Sequence, residues 1–513
     1  MARACLVRYN KIFHSPEKTG GDLNKKIGNY WKSGAYCLVN RVLLWRELGR
    51  LEHIRGKDLL SAVYRLRVIR LLGGDRFGDL PYVVDTLRKN GFHREALVAD
   101  AMYGKYPDRD ERCAELLNEA YQNNRFNQNW EFEFIDDRRK LPSYKVSIVV
   151  SLYNAAAKLT LFLKTLQLQT IVKAGKAEVI LIDSGSPDNE YAVFKQVMKS
   201  LETNIVYARS ARRETIQCAW NRGISLSLSP YLAFLGVDEN LSPDCLEILV
   251  GEMDKDVTLD WVIGNSVVTD VDEQGAWKND VMVYNRDGLS KNMVYLETCY
   301  ISWVGALYRK SVHSRFGFYD PTFAAAGDTE FKNRILPFIK IKHIPKMLGF
   351  FWNYPEARTT HSPLAEIEDL RAWYLHRTLA GIKYAFQKRD PKEAEDLFYT
   401  SLCYRKSYRK HWSTDIEYAY TVLNFLQENV PVSSTLKYFN GIKKLLNAYR
   451  SLDFIQKRSK FAAISALLHT KYTASQIEKH HLSLSNRIVN PQYKIFNDNR
   501  YEQHSNTWTS NSL

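Results

Sequence analysis

The sequence predicts an α/β layered domain with a helical region on either side of it. Three observations lead there. The run Lys145-Val146-Ser147-Ile148-Val149-Val150-Ser151-Leu152 has the β-branched composition of a strand buried on both faces. From there to about Met253, strand-like and helix-like segments alternate at short spacing, the mark of βαβ units. Outside that block, apolar residues recur every three or four positions, the period of a helix with one buried face. A chain of 513 residues also exceeds the roughly 250 to 300 at which one core stops growing, so at least two domains are expected.

In chain order, Leu23 to about Asn123 reads as helical. Leu38, Val42, Trp45 and Leu48 share one face, and Leu59, Val63, Leu66 and Ile69 share the next. Gly49, Gly73, Gly78, Gly91 and Gly104 punctuate the stretch into antiparallel hairpins without a repeated motif. A cap packed on the next domain is the simpler reading, and a module that positions a partner is the other. After Tyr144 the expected strands are 145–152, Val179-Ile180-Leu181-Ile182, Ile205-Val206-Tyr207, Tyr231 to Leu235 and Trp261-Val262-Ile263. The intervening helices run from Ala156 to Gln169, Ala192 to Lys199, Ile216 to Leu226 and Pro243 to Met253, with Pro243 near a first turn. From Glu366 the pattern is helical again, with Ala372, Leu375, Leu379 and Ile382 on one face. Leu484 to Leu513 is rich in Asn, Ser, Gln and His and is expected to be a mobile tail.

Composition excludes several classes. Hydrophobic residues at 45% and charged residues at 25% argue against a disordered or collagenous chain. No stretch approaches the roughly 18 to 20 apolar residues of a membrane span, and Met1 to Lys18 lacks an apolar signal core, so a cytoplasmic address is expected. The seven cysteines are scattered without a CxxC pair, which points to reduced thiols rather than a disulfide framework or zinc knuckle. A net charge of +15 favours anionic partners, whether nucleic acid, acidic lipid or phosphorylated small molecules.

Polar residues gather at the carboxyl ends of the expected strands. Tyr153-Asn154 follows the first, Asp183-Ser184-Gly185-Ser186-Pro187-Asp188 the second, and Gly236-Val237-Asp238-Glu239-Asn240 the strand that ends at Leu235. Asp183 alone would be read as capping its own turn. Three such ends in register suit a nucleotide pocket, one acid accepting from base or ribose and another holding a divalent cation against a diphosphate.

These residues resemble the family 2 glycosyltransferases, whose GT-A fold is a Rossmann-like mixed sheet. The resemblance covers roughly Tyr144 to Thr360. It rests on the opening strand through Asn154, the Asp183 to Asp188 turn, Ala219-Trp220-Asn221-Arg222-Gly223-Ile224, Phe234-Leu235-Gly236-Val237-Asp238-Glu239, and Gly327-Asp328-Thr329-Glu330-Phe331-Lys332-Asn333-Arg334. The resemblance implies a catalytic domain over 141–362, while the apolar spacing and composition on either side give a helical N-terminal region over 1–140, a helical C-terminal region over 363–483 and the tail over 484–513. It also implies an inverting transfer from a nucleotide diphospho-sugar to an acceptor hydroxyl, in surface polysaccharide or glycolipid synthesis. Tyr153, Asn154, Asp183, Ser186, Asn221 and Arg222 would contact the donor. Asp238, helped by Glu239, would hold Mn²⁺ or Mg²⁺, and Asp328 would be the general base, with Glu330 the competing choice. Two positions depart from the family's pattern: Gly236 stands where the metal motif usually begins with Asp, and Trp220 stands where Arg often precedes Asn221.

The chemistry needs two devices. A divalent cation neutralises charge growing on the leaving diphosphate. A carboxylate across the anomeric carbon takes the acceptor proton, a contribution on the order of 10² to 10⁴ in rate. One base and one displacement imply inversion. Arg209, Arg212, Arg213 and Arg222 flank the pocket in sequence and reach either a phosphate or solvent, and His361 follows the base motif where some relatives supply a metal ligand. The alternative from another class is a nucleic-acid or anionic-membrane binding protein with a degenerate transferase domain. It is motivated by the charge and by Tyr404-Arg405-Lys406-Ser407-Tyr408-Arg409-Lys410-His411-Trp412. A basic flank also serves an enzyme working peripherally at the inner membrane surface on a lipid-linked acceptor, with no nucleic acid involved.

Overall fold

Buried β-branched runs pair with each other in this chain and build one mixed sheet. The structure is a computed structural model. It describes residues 36–72, 74–123, 130–272, 277–284, 303–336, 338–353, 363–378 and 380–381. His361, the basic stretch 404–412, the tail from 484, Leu379 and Ile382 all lie outside the described residues. The chain divides into two compact units, one of residues up to Asn118 together with those from Ser362 to Ile477, the other chiefly of Glu119 to His361.

The first unit opens with α1 (Tyr36–Ile54), α2 (Asp58–Leu72), α3 (Leu80–Lys89), α4 (His93–Tyr103) and α5 (Arg109–Asn123), the last running into the second unit. Of the expected faces, Val42, Val63, Leu66 and Ile69 are nearly inaccessible, whereas Trp45, Leu48 and Leu59 are half-buried. Gly49 does not break a helix as the sequence reading has it. It lies inside α1, where its carbonyl accepts from Ser61 Oγ at 2.6 Å. A Cβ there would sit 3.4 Å from Ser61 O and Arg65 Cγ, so the glycine permits a close crossing of α1 and α2.

Among the described residues the second unit has ten strands: β1 (Phe134–Asp137), β2 (Val146–Leu152), β3 (Ala177–Asp183), β4 (Ile205–Arg209), β5 (Tyr231–Leu235), β6 (Glu239–Leu241), β7 (Trp261–Val271), β8 (Trp277–Tyr284), β9 (Ala306–Arg309) and β10 (Ile341–Asn353). Their order is β1-β4-β3-β2-β5-β9-β7-β10-β6, with β8 on β7. The block β4-β3-β2-β5 is parallel, as are β7 and β10, while β1, β9, β6 and β8 join antiparallel. This is the mixed α/β sheet that the resemblance implies. Crossover helices are α6 (Ala156–Leu166), α7 (Thr170–Lys173), α8 (Glu190–Val197), α9 (Ile216–Leu226) and α10 (Cys245–Lys255), followed later by α11 (Ser311–Phe316) and α12 (Gly327–Ile335). The stretch expected as one helix to Gln169 is split at Leu166, and Pro243 precedes α10 instead of entering its first turn.

On its return to the first unit the chain forms α13 (Pro363–Asp369), a π turn over Leu370–Tyr374 and a 3₁₀ turn over Leu375–Arg377. Ala372 and Leu375 are buried as the spacing predicts. Arg371 Nε donates to Glu95 Oε1 at 3.0 Å and Arg67 Nε to Glu366 Oε2 at 2.7 Å, so ion pairs fasten this segment to α2 and α4 within the unit. No helix among the described residues is long and apolar enough to cross a membrane.

Candidate active site

The parallel registers set Leu152 opposite Asp183 and Val150 opposite Leu235, so the residues after β2, β3 and β5 emerge at one edge. There Asn154 turns the chain with φ of 51°, the one non-glycine residue in the left-handed region among the described residues. The turn is stapled to the next loop. Asn154 N–H donates to Ser186 Oγ at 3.0 Å, Ser186 Oγ donates to Glu190 Oε1 at 2.7 Å, and Ala155 N–H donates to the same oxygen at 2.9 Å.

Several expected contact residues are consumed by this framework. Asp183 is fully buried. Its Oδ1 accepts from Ser186 N–H at 2.8 Å, and its Oδ2 accepts from Tyr207 OH at 2.7 Å and from the Arg209 guanidinium. Burial, with the bond to Asp183, pushes the Tyr207 phenol well above its ordinary value, so it stays a donor. Asn221 is a clamp: its amide donates to Tyr319 O at 2.8 Å and accepts from Tyr319 N–H at 3.0 Å. Arg222 makes a bidentate pair with Glu214 at 2.7 and 2.6 Å, bonds Glu131 O, and lies over the Trp130 and Phe132 rings. In this structure Asp183, Ser186, Asn221 and Arg222 therefore shape the floor and wall rather than offer surface to a ligand.

The four arginines separate in the same way. Arg209 is committed to the buried Asp183 and Arg222 to the partly buried Glu214, whereas Arg212 and Arg213 are exposed with no ion-pair partner among the described residues. Arg213 lies 4.4 Å over the Tyr153 ring, so a guanidinium and an aromatic face stand together at the strand ends. The spacing of the sequence does not reveal that pairing.

The metal motif follows β5. A Cβ on Gly236 would fall 2.6 Å from Asp238 Oδ1 and 3.7 Å from Glu239 Oε2, so two carboxylates converge on the space a side chain at 236 would fill. Glu239 Oε2 accepts from Gly236 N–H at 2.7 Å. Among the described residues no group of three or more His, Cys, Asp or Glu surrounds a metal position. Two carboxylates still fit Mg²⁺ or Mn²⁺, which take one or two protein carboxylates and complete their shell with phosphate and water.

Helix α9 begins at this edge because it follows β4, and it is tied to the segment that leads into α12. Thr215 Oγ1 donates to Pro321 O at 3.1 Å, Asn221 clamps Tyr319, and the Gln217 amide lies on Gly327, where a Cβ would come within 2.5 Å of Gln217 Cγ and Nε2. These ties hold the first turn of α12 at the strand-end edge. There Asp328 keeps 32% of its side chain exposed and accepts from Lys332 Nζ at 2.8 Å. Both the helix N-terminus and Lys332 put positive potential around that carboxylate. Glu330 faces the other way: it is 1% exposed and pairs with Arg334 at 2.8 Å, and Arg334 also donates to Phe316 O and Phe318 O.

Behind α12 lies an aromatic cluster of Trp220, Phe234, Trp261, Trp303, Tyr308, Tyr319 and Phe331. Trp220 thus packs where the family often has arginine. The indole Nε1 atoms of Trp220, Trp261 and Trp303 and the carbonyl oxygen of Gln217 are buried without a hydrogen-bond partner among the described residues. Such orphans cost about 1–3 kcal/mol each and are rare in a finished core.

Comparison with known proteins finds sequence and structural similarities. Residues 147–317 match the profile of the family described as Glycosyl transferase family 2. The proteins called PGL/p-HBAD biosynthesis glycosyltransferase from Mycobacterium bovis and Mycobacterium tuberculosis are 24% identical over 191 residues, 37% of this chain and 68% of theirs. Among solved structures, S. aureus TarS 1-349 in complex with UDP-GlcNAc aligns with a TM-score of 0.39 at 13% identity, covering 64% of this chain and 92% of that one. Mannosyltransferase PcManGT from Pyrobaculum calidifontis, in complex with GDP-Man and Mn²⁺, gives 0.35 at 13% identity over 74% and 99%. The chain carries a glycosyl transferase family 2 domain over residues 147–317, set in a mixed α/β sheet.

Proposed function

We propose that the chain transfers a sugar from a nucleotide diphospho-sugar to a hydroxyl of a glycan or glycolipid acceptor, by a single displacement that inverts the anomeric carbon. The observation that carries the reading is the contrast within one helical turn: Asp328 is accessible at the edge where Asp238 and Glu239 stand, while Glu330 is sealed against Arg334. The contrast supports Asp328, the first choice of the sequence reading, over Glu330 as the base.

In this reading Tyr153 and Arg213 offer a face for the base or ribose and a cation for the diphosphate, with Arg212 beside them. Asn154 fixes the backbone turn against which the nucleotide rests. Asp238 and Glu239 would hold Mn²⁺ or Mg²⁺, which when bound supplies Lewis-acid neutralisation of the leaving diphosphate. Asp328 accepts the proton of the acceptor hydroxyl, and Lys332 orients it. The name of the mycobacterial relatives favours a glycolipid acceptor, and the charge of +15 suits work in the cytoplasm at an anionic inner membrane face.

The test is release of nucleoside diphosphate from a panel of UDP-, GDP- and dTDP-sugars with a lipid extract as acceptor, followed by the anomeric configuration of the product. Turnover with inversion supports the proposal. A retained configuration overturns the mechanism, and a log-linear salt dependence of nucleic-acid binding without any turnover would favour the alternative of a binding protein.

A further inference from the structure

We infer that Lys332 is the positioning residue of the transfer: its ammonium holds one oxygen of Asp328 and leaves Oδ1 to take the acceptor proton. The inference rests on the reading of Asp328 as the base and goes beyond it by assigning the oxygen that acts and the group that aims it.

The two ends of this pair differ in their surroundings. Lys332 and Asp328 stand four positions apart on α12, a spacing that puts both on one face. Lys332 keeps 3% of its side chain exposed against 32% for Asp328, so the ammonium acts on the site through the carboxylate and not by touching a ligand itself. Its Nζ donates to Asp328 Oδ2 at 2.8 Å and lies 5.8 Å from the centroid of the Trp303 ring, within the range of a cation–π contact. Trp303 is held in turn by stacking on the fully buried Trp261, with centroids 4.8 Å apart. The second oxygen is far less occupied: among the described residues Asp328 Oδ1 has one hydrogen-bond contact, from Thr329 Oγ1 at 3.4 Å, near the outer limit for such a bond.

The terminal torsion of an aspartate is broad and roughly two-fold, so an exposed carboxylate alone presents either oxygen in many directions. An ammonium fixed between an indole face and Oδ2 removes that freedom, and a base already aimed at its proton needs less ordering in the transition state. In the transfer the acceptor O–H bond breaks and its proton goes to Oδ1. The electron pair of the acceptor oxygen forms the new bond to the anomeric carbon, and the bond from that carbon to the diphosphate breaks with its pair on the leaving oxygen. Lys332 keeps its own proton throughout. A residue in this role changes the rate of that step and not the binding of the nucleotide.

The test measures nucleoside diphosphate release by the full chain from UDP-glucose, UDP-GlcNAc, GDP-mannose and dTDP-rhamnose, with Mn²⁺ and a lipid extract as acceptor. For the donor that turns over, Lys332→Met should lower kcat about tenfold or more and leave the donor KM within about twofold, and Lys332→Arg, which keeps a cation, should lose less. In an Asp328→Asn background Lys332→Met should cost nothing further, because the lysine acts through a carboxylate that is no longer there. An equal fractional loss in both backgrounds, or no loss in either, overturns the inference alone. Lys332→Gln in the same two backgrounds decides the question if the methionine variant does not fold. Asp328→Asn turning over as fast as the wild type overturns the base and the role of the lysine together, and no turnover of any donor by the wild type overturns the transferase reading on which both rest.

Discussion

Asp328 and Glu330 occupy one turn of α12, yet the first keeps an open oxygen edge and the second is locked to Arg334. Asp328→Asn should therefore leave donor affinity nearly unchanged while lowering kcat by on the order of 10² or more, measured by initial rates at saturating donor. Glu330→Gln should act on stability instead. It leaves Arg334 buried beside a neutral partner, a change worth about 3–5 kcal/mol in comparable pairs, and calorimetry should show a large fall in melting temperature. A further residue gives a pH signature. His313 is buried, with Tyr308 OH 2.7 Å from its Nε2 and Gly317 O 3.1 Å from its Nδ1; Tyr319, Phe318 and Phe331 surround it, and Lys310 and Arg334 supply the nearby charge. Burial lowers its pKa to about 3, whereas the unfolded chain has about 6.5. Between those values only the unfolded state takes up the proton. The stability from neutral His313 is whole above about pH 6.5 and is lost as pH falls, by up to about 1.4 kcal/mol per unit. Melting temperatures from pH 7.5 to 5 should fall more steeply for the wild type than for His313→Phe; equal slopes would contradict this. The acids were legible in the sequence, but their partners were not. Asp183 looked like a ligand because Tyr207 and Arg209, which occupy it, lie 24 and 26 positions away on a neighbouring strand.

At the scale of elements, the site depends on α9 holding α12. Gly327→Ala should drive a methyl into the Gln217 amide, costing about 1–3 kcal/mol and lowering kcat through the adjoining Asp328. In a Gln217→Ala background the same change should cost less, and that coupling is read by a double-mutant cycle on melting temperature. Strictly additive losses would mean that the two residues do not meet. The elements the sequence predicts best are those with local, uniform signals: β5 and α9 fall on the expected residues, and β2, β3 and β4 within two positions. The second half of the sheet was hidden. β10 carries Lys342, Pro345 and Lys346 among its apolar residues, and its partner β7 lies 80 positions earlier, where Ile341 pairs with Trp261. Strands held by such distant pairing need no periodic pattern of their own.

At the scale of the whole molecule, the chain leaves its first helical unit, builds the sheet and returns. Contacts such as Arg371 to Glu95, 276 positions apart, make that return, and no local spacing announces them. The departures at Gly236 and Trp220 look like losses in the linear sequence. In the fold, Gly236 lets Asp238 and Glu239 converge, and Trp220 joins an aromatic cluster with Phe234, Trp303 and Tyr319. The account stands on those two acids and Asp328 serving one reaction. Isothermal titration of UDP, GDP and dTDP with Mn²⁺ into the wild type, Asp238→Asn and Asp328→Asn tests it most directly. The account predicts that one nucleotide binds the wild type, that Asp238→Asn weakens it at least about tenfold, and that Asp328→Asn binds it as the wild type does. Binding of none of the three, or equal metal-dependent binding to Asp238→Asn, would contradict it.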